Sequence, residues 1–166
     1  MNKFATIKID DSMINDYLFY RNLFINRKFA SSKKKIKKID HYQWWFKSQK
    51  KRHSFLILKN NNPIFISASD HFKFKNHNLI YSGLYSCLEE TNLFDILKSI
   101  KIQNEYLDKQ KNKICFISIN NNNKVLMQHW KYFKYKPLLK KNIFFKYVKK
   151  FLSIGDNSSI FYKKIS

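Results

Sequence analysis

Residues 114–133, ICFISINNNNKVLMQHWKYF, constrain the fold more than any other part of the chain. Apolar and small side chains run through Cys115, Phe116, Ile117 and Ser118 as in a buried strand, and the asparagines at 120–123 break it. From Lys124 an apolar stripe resumes at helical spacing, through Val125, Leu126, His129, Trp130 and Phe133. A strand that turns directly into an amphipathic helix belongs to a sheet with helices packed on it, because each apolar face needs a cover.

The rest of the chain extends that reading. Residues 4–9 (FATIKI) alternate as a first strand, and Asp10, Asp11 and Ser12 offer N-caps for a helix through Met13, Tyr17, Leu18 and on to Phe24. Residues 31–38 are a basic Ser/Lys loop. Asp40 is expected to cap a second helix that carries Trp44, Trp45 and Phe46 and ends in the basic cluster 47–52. Residues 53–59 and 64–69 form a hairpin around the turn Asn60-Asn61-Asn62-Pro63. Residues 79–88 (LIYSGLYSCL) make another strand, in which Gly83 marks a bulge or the close approach of a ligand. Thr91 or Asn92 caps a helix through Leu93, Ile96, Leu97, Ile100 and Tyr106. Residues 137–145 and 159–165 read as two closing strands. The predicted order is β-α-α-β-β-β-α-β-α-β-β, an α/β (α+β) chain with a mixed sheet, and no repeat or linker divides residues 1–166.

Composition then narrows the function classes. A chain of 166 residues that is 44% hydrophobic and 17% aromatic is globular, and no run approaches a membrane span of roughly 18 apolar residues. The N-terminus has no apolar segment of the signal-peptide kind, and Cys87 and Cys115 fall outside any CxxC pattern. Both cysteines read as reduced core residues of a cytoplasmic protein. The net charge of +22 points to an anionic partner, yet nearly all of it is Lys, with Arg only at 21, 27 and 52. Abundant Lys, Asn, Ile and Phe share A/T-rich codons, so compositional bias explains much of this basic character. Nucleic-acid readers use Arg for bidentate contacts, and this chain holds few.

The segment beginning at Asn121 and ending at Phe133 resembles the strand 5 to helix 4 segment of the GNAT acyltransferase superfamily. That segment usually reads Asn, a gap, an aliphatic helix face with a Tyr, then Gly-Phe; here Gln128 stands at the Tyr and Tyr132 at the Gly. The order of elements is also similar to the GNAT order, over roughly residues 4–138. Tyr20-Arg21-Asn22, followed by His41-Tyr42-Gln43-Trp44-Trp45-Phe46, resembles a Trp-Arg-Asn and Glu-His-x-x-Trp-Phe pattern. It occurs in GNAT enzymes that acetylate amino-sugar nucleotides for surface glycans and nonulosonic acids.

The resemblance implies a mixed, mostly antiparallel sheet flanked by helices and an acetyl-CoA-dependent transfer to a small-molecule amine, such as a nucleotide-linked amino sugar. It implies that the cofactor lies along the strand at 79–88, with Leu84, Tyr85 and Ser86 on its pantetheine arm. It places the diphosphate at Thr91, Asn92 and Leu93, where helix-start amides converge on an anion, and gives Asn121 to the same site. The corresponding loop, residues 89–94, holds neither Gly nor a basic residue. Gln128 supplies no useful proton, which leaves His129 and Tyr132 as candidate catalytic groups. His129 reads equally as a core residue beside Trp130 and Phe133. On the acceptor side stand Arg21, Asn22, His41 and Trp45; Arg21 suits a bidentate contact to carboxylate or phosphate, or else a surface ion pair with Asp16 or Asp40. No His/Cys/carboxylate spacing suggests a metal. Two other readings remain at this point: a GNAT-like binding or assembly module without catalysis, and a nucleic-acid-binding protein using 33–38, 47–52 and the nearby tryptophans.

Overall fold

The computed structural model describes residues 2–30, 32–48 and 51–165. Ser31 of the expected basic loop, and Gln49 and Lys50 of the expected basic cluster, lie outside the described residues. Seven strands form one sheet in the order β1-β2-β3-β4-β5-β7-β6. They are β1 (Phe4–Lys8), β2 (Arg52–Lys59), β3 (Asn62–Phe74), β4 (His77–Ser86), β5 (Lys113–Asn120), β6 (Lys136–Pro137) and β7 (Ser158–Ile165). All neighbours are antiparallel except β4 and β5. The helices are α1 (Ile14–Arg21), α2 (Phe24–Lys28), α3 (Lys38–Ser48), α4 (Leu93–Asp108), α5 (Lys124–His129) and α6 (Ile143–Phe151). The mixed sheet flanked by helices is thus the one expected, with α4 supplying the crossover that a parallel pair requires.

On one face Tyr17 of α1 and Trp45 of α3 pack against Leu56, Leu58 and Ile66, and farther along Val148 of α6 packs against Leu79, Phe116 and Ile160. The other face carries Ile80, Cys115, Ile119 and Phe161 under Leu107 of α4 and Trp130 and Phe133. Burial pushes the thiols of Cys87 and Cys115 up to about 12 and about 11, so both are protonated core residues at neutral pH.

The structure corrects several local expectations. Only Lys136 and Pro137 pair as β6, and the expected strand 137–145 gives way to α6, capped by the Asn142 side chain on the Phe144 amide. The first helix ends at Arg21, and Phe24 opens a separate helix. Asp10 does accept from the Ser12 amide, starting a 3-10 turn, whereas Asp40 lies inside the first turn of α3 and does not cap it. Asn92 caps α4 as expected, but the buried stripe is Asp95, Ser99, Gln103 and Leu107 while Leu93 is 47% exposed. The sheet beneath presents Ser67 beside Ile57 and Phe65, so polar residues of α4 are buried alongside Ile96 and Ile102, which pack on the apolar part. Gln103 Nε2 donates to Ser67 Oγ and to the Gly83 carbonyl, and Lys59 Nζ lies 2.9 Å from Asp95 Oδ1. The stripe of α5 is also displaced: Leu126, Met127, Trp130 and Phe133 pack inward, and Val125 is exposed.

Candidate functional site

β4 and β5 pair at three positions only, Leu79–Ile114, Ile80–Cys115 and Tyr81–Phe116. Beyond Tyr81, β4 stays with β3 as far as Ser86, while β5 stays with β7 as far as Asn120. The two parallel strands therefore part, and a gap opens between them. Tyr81 Oη and Ser118 Oγ bridge its base at 2.7 Å. The backbone N–H of Ser86 donates to Asn26 Oδ1 and its carbonyl accepts from Asn26 Nδ2, so both groups point away from β3. Strand alternation turns the Leu84 N–H and C=O the same way, into the gap.

The loop between β4 and α4 is tied to α2. Glu89 accepts from the amides of Phe24 and Ile25, at 3.1 and 3.2 Å. Its carboxylate is thereby turned onto α2, and that of Asp95 is held by Lys59. Asn22 pairs with the backbone of Ile36 in both directions, and Arg27 donates to the carbonyls of Asn22 and Lys33, which fixes the basic loop.

On the face covered by α1 and α3, the register aligns Arg52, Asp70 and Tyr81 across three strands. The Arg52 guanidinium lies 3.7 Å from the Trp45 ring centroid, and that of Arg21 lies 4.2 Å from Tyr85. Gly83 makes room for this stack, since a Cβ there would stand 3.1 Å from Tyr85 Oη. The close approach expected at this glycine is made by the chain's own phenol. Burial pushes the Tyr17 and Tyr81 hydroxyls up to about 12, and it raises the Asp70 carboxyl against the opposing pull of Arg52 and Arg21.

Several residues singled out from sequence serve the scaffold. His41 is 2% exposed with Nε2 on the Ile14 carbonyl, and Trp45 is 0% exposed with Nε1 donating to Asp11. Both are buried between α1, α3 and the sheet and present no surface to an acceptor. Asn22 is committed to Ile36, the backbone of Ser86 to Asn26, and Asn121 Oδ1 accepts from Ser159 Oγ. Thr91 is half-buried, and Asn92 and Leu93 open α4. His129 Nδ1 sits 2.6 Å from the Val125 carbonyl of its own helix, and Tyr132 is 79% exposed beside it. Arg21 and Tyr85 alone of the predicted set join the polar row. Sequence reading missed Arg52, Asp70, Tyr81 and Ser118. The signal for the first two was parity: Arg52 alternates with Ser54 and Leu56, and Asp70 with Ile66 and Ala68. Trp44 and Trp45 are held against Arg21 and Arg52, so these two rings are engaged within the fold.

The rings of His53 and His71 lie 4.5 Å apart, tilted by 53°, on neighbouring strands β2 and β3. Burial, with Lys113 and His53 nearby, pushes His71 down to about 4, and burial lowers His53 and His41 as well. Between about pH 6.5 and 4 the unfolded chain takes up protons that the native His71 refuses. Stability should therefore be independent of His71 above pH 6.5 and fall as pH drops through that window. His71→Gln should flatten the decline of melting temperature between pH 6.5 and 4.5, and an unchanged slope would contradict this assignment.

No protein-family model matches the sequence, and no curated protein matches it. Solved structures match along nearly the whole chain. A domain from Methanocaldococcus jannaschii superposes with a TM-score of 0.73 at 18% identity, covering 98% of this chain and 99% of that one. A candidate acetyltransferase of Salmonella typhimurium, solved with its cofactor acetyl-CoA, gives 0.71 at 7% identity, over 99% and 95%. An acetyltransferase of the GNAT family from Streptococcus pneumoniae gives 0.62 at 8%, over 99% and 100%. The chain has the GNAT fold.

Within the GNAT fold, the helix after β5 ends two residues later than expected. Lys134 adopts the left-handed conformation (φ 61°) that the Gly of the Gly-Phe ending suits, and Tyr135, 4% exposed, is the aromatic that follows. The resemblance implies acetyl-CoA as cofactor; of the positions it assigns, the Ser86 backbone is taken by Asn26, and Glu90 stands exposed before α4. The gap offers the Leu84 backbone to an amide-bearing arm, and the loop's Glu89 and the first-turn Asp95 are turned onto α2 and Lys59.

Proposed function

We propose that the protein is an acetyl-CoA-dependent N-acetyltransferase that modifies a primary amine of a small molecule. The observation that carries this is the parting of β4 and β5 after Tyr81 on a GNAT fold, with Leu84 backbone groups that face the gap and have no partner among the described residues. Leu84, Thr91, Asn92 and Leu93 would hold the cofactor, which supplies an activated thioester. Asp70, a half-buried carboxylate of raised pKa, holds the acceptor ammonium and takes its proton. Tyr81 Oη stays protonated at neutral pH and would supply, through Ser118 Oγ, the proton taken up by the sulfur whose bond to the acetyl carbon breaks as the amine nitrogen bonds that carbon. These groups take the place of His129 and Tyr132. The resemblance of residues 20–22 and 41–46 supports a nucleotide-linked amino sugar as acceptor, although Asn22, His41 and Trp45 act there by shaping the wall that positions Arg21.

The test is a thermal-shift titration with acetyl-CoA at two salt concentrations. A native-state ligand at one hundred times its Kd stabilises by about 2.7 kcal/mol, so a saturable rise that survives added salt is the expected result. No rise would sink the enzyme reading and favour a binding module. Asn26 supports that second reading, because its side chain already fills the Ser86 edge of the gap.

A further inference from the structure

On the face of the sheet under α1 and α3, hydrogen-bond donors outnumber acceptors. Arg21 reaches in from α1 and Arg52 from β2, and both guanidiniums lie against Trp44, 5.9 and 4.9 Å from its centroid. Beside them is Tyr17, 1% exposed, whose hydroxyl has no hydrogen-bond partner among the described residues. The buried Ser54 hydroxyl, two residues beyond Arg52, is likewise unpartnered among the described residues. Asp70 is aligned across from Arg52, yet among the described residues no ion pair joins it to either arginine. Asp11 also acts on Arg52, but one of its oxygens accepts from Trp45 Nε1.

Arg21 and Arg52 are half-buried, and among the described residues Arg52 has one side-chain acceptor, Ser48 Oγ at 3.4 Å, so most of the donors of the two forks stay unfilled. Buried hydroxyls without acceptors destabilise a fold unless a ligand completes them. An oxyanion does so, because guanidinium forks and hydroxyls all donate. A cavity of about 700 Å³ at the β1 end of the sheet, with Lys8 and Lys109 as well as Asp10, Asp11 and Glu105 in its wall, touches Arg52 and Ser54. The row from Arg52 through Asp70 to Tyr81 spans two strand spacings, roughly 10 Å, and ends at the base of the gap.

We propose that the acceptor is an amine that also carries a carboxylate or phosphate, the oxyanion being held by Arg21, Arg52, Tyr17 and Ser54. Its amine lies within roughly 10 Å, beside Asp70 and Tyr81. The fate of the amine rests on the acetyltransferase reading; the anion site does not.

Two measurements test this, each separating the two ideas. The first follows melting temperature with inorganic phosphate and with acetate at constant ionic strength, for wild type, Arg52→Gln and Tyr17→Phe. One of the two ions should stabilise wild type saturably and Arg52→Gln should lose that response, phosphate alone marking a phosphate-bearing acceptor and acetate alone a carboxylate. Tyr17→Phe keeps the ring, so it should fold, melt higher than wild type without ligand, and bind the ion at least fivefold more weakly. Equal responses in all three proteins, or none, would overturn the anion site. The second compares kcat/KM for acetylation of glucosamine 6-phosphate against glucosamine, and of β-alanine against propylamine. The anionic member of one pair should be preferred at least tenfold, with the preference lost in Arg52→Gln. Ion binding without any acetylation would keep the anion site and remove the acetyltransferase reading; acetylation with no anionic preference would do the reverse.

Discussion

Trp45→Ala should lower the melting temperature by roughly 6–20 °C. The side chain is 0% exposed, packs edge-on against Tyr17, supports the Arg52 guanidinium and donates to Asp11. Truncating a buried Trp costs about 3–5 kcal/mol, and each kcal/mol moves a chain of this size by about 2–4 °C. Trp45→Phe, which keeps most of the volume, should cost about half as much. A loss below about 1 kcal/mol for the alanine variant in chemical denaturation would mean that this cluster does not anchor α3.

Asp95→Ala should cost about 3 kcal/mol, because it leaves the Lys59 ammonium under α4 without its carboxylate. Asp95 also accepts from Asn92 Nδ2, while its own amide takes the Asn92 cap, so the first turn of α4 loosens as well. The double variant Lys59→Met with Asp95→Leu should recover most of the loss, since replacing both partners by apolar groups leaves no orphaned charge. A double variant as unstable as the single one would show that the pair acts through something other than charge compensation.

The sheet was largely legible in the sequence because alternation is a local signal. Residues 4–9, 53–59 and 79–88 all became strands at nearly those bounds. Residues 137–145 misled for the same reason: PLLKKNIFF has strand-like propensity, but its last three residues open α6, where Phe144 packs on Phe74 of β3. Asn142, the cap of that helix, was the available warning. The site was less legible. Arg52 looked like the end of a lysine run, and only its parity with Ser54 and Leu56 sets it on the buried face. Asp70 lay one residue past the expected end of its strand. That Asn22, His41 and Trp45 hold the scaffold follows from pairings with Ile36, Ile14 and Asp11, which no local pattern announces.

The two-residue β6 bears on how the molecule behaves in company. An exposed strand edge recruits the edges of other copies, and sheets avoid this with short edges, proline and lysine. At one border the outermost strand is two residues long and one of them is Pro137, which has no N–H to offer a neighbour. At the other border β1 is five residues long, is flanked by Lys3 and ends on Lys8. With a net charge of +22 repelling like molecules, both borders discourage ribbon-like self-association, so concentrated solutions should stay clear until added polyanion or high salt masks the lysines.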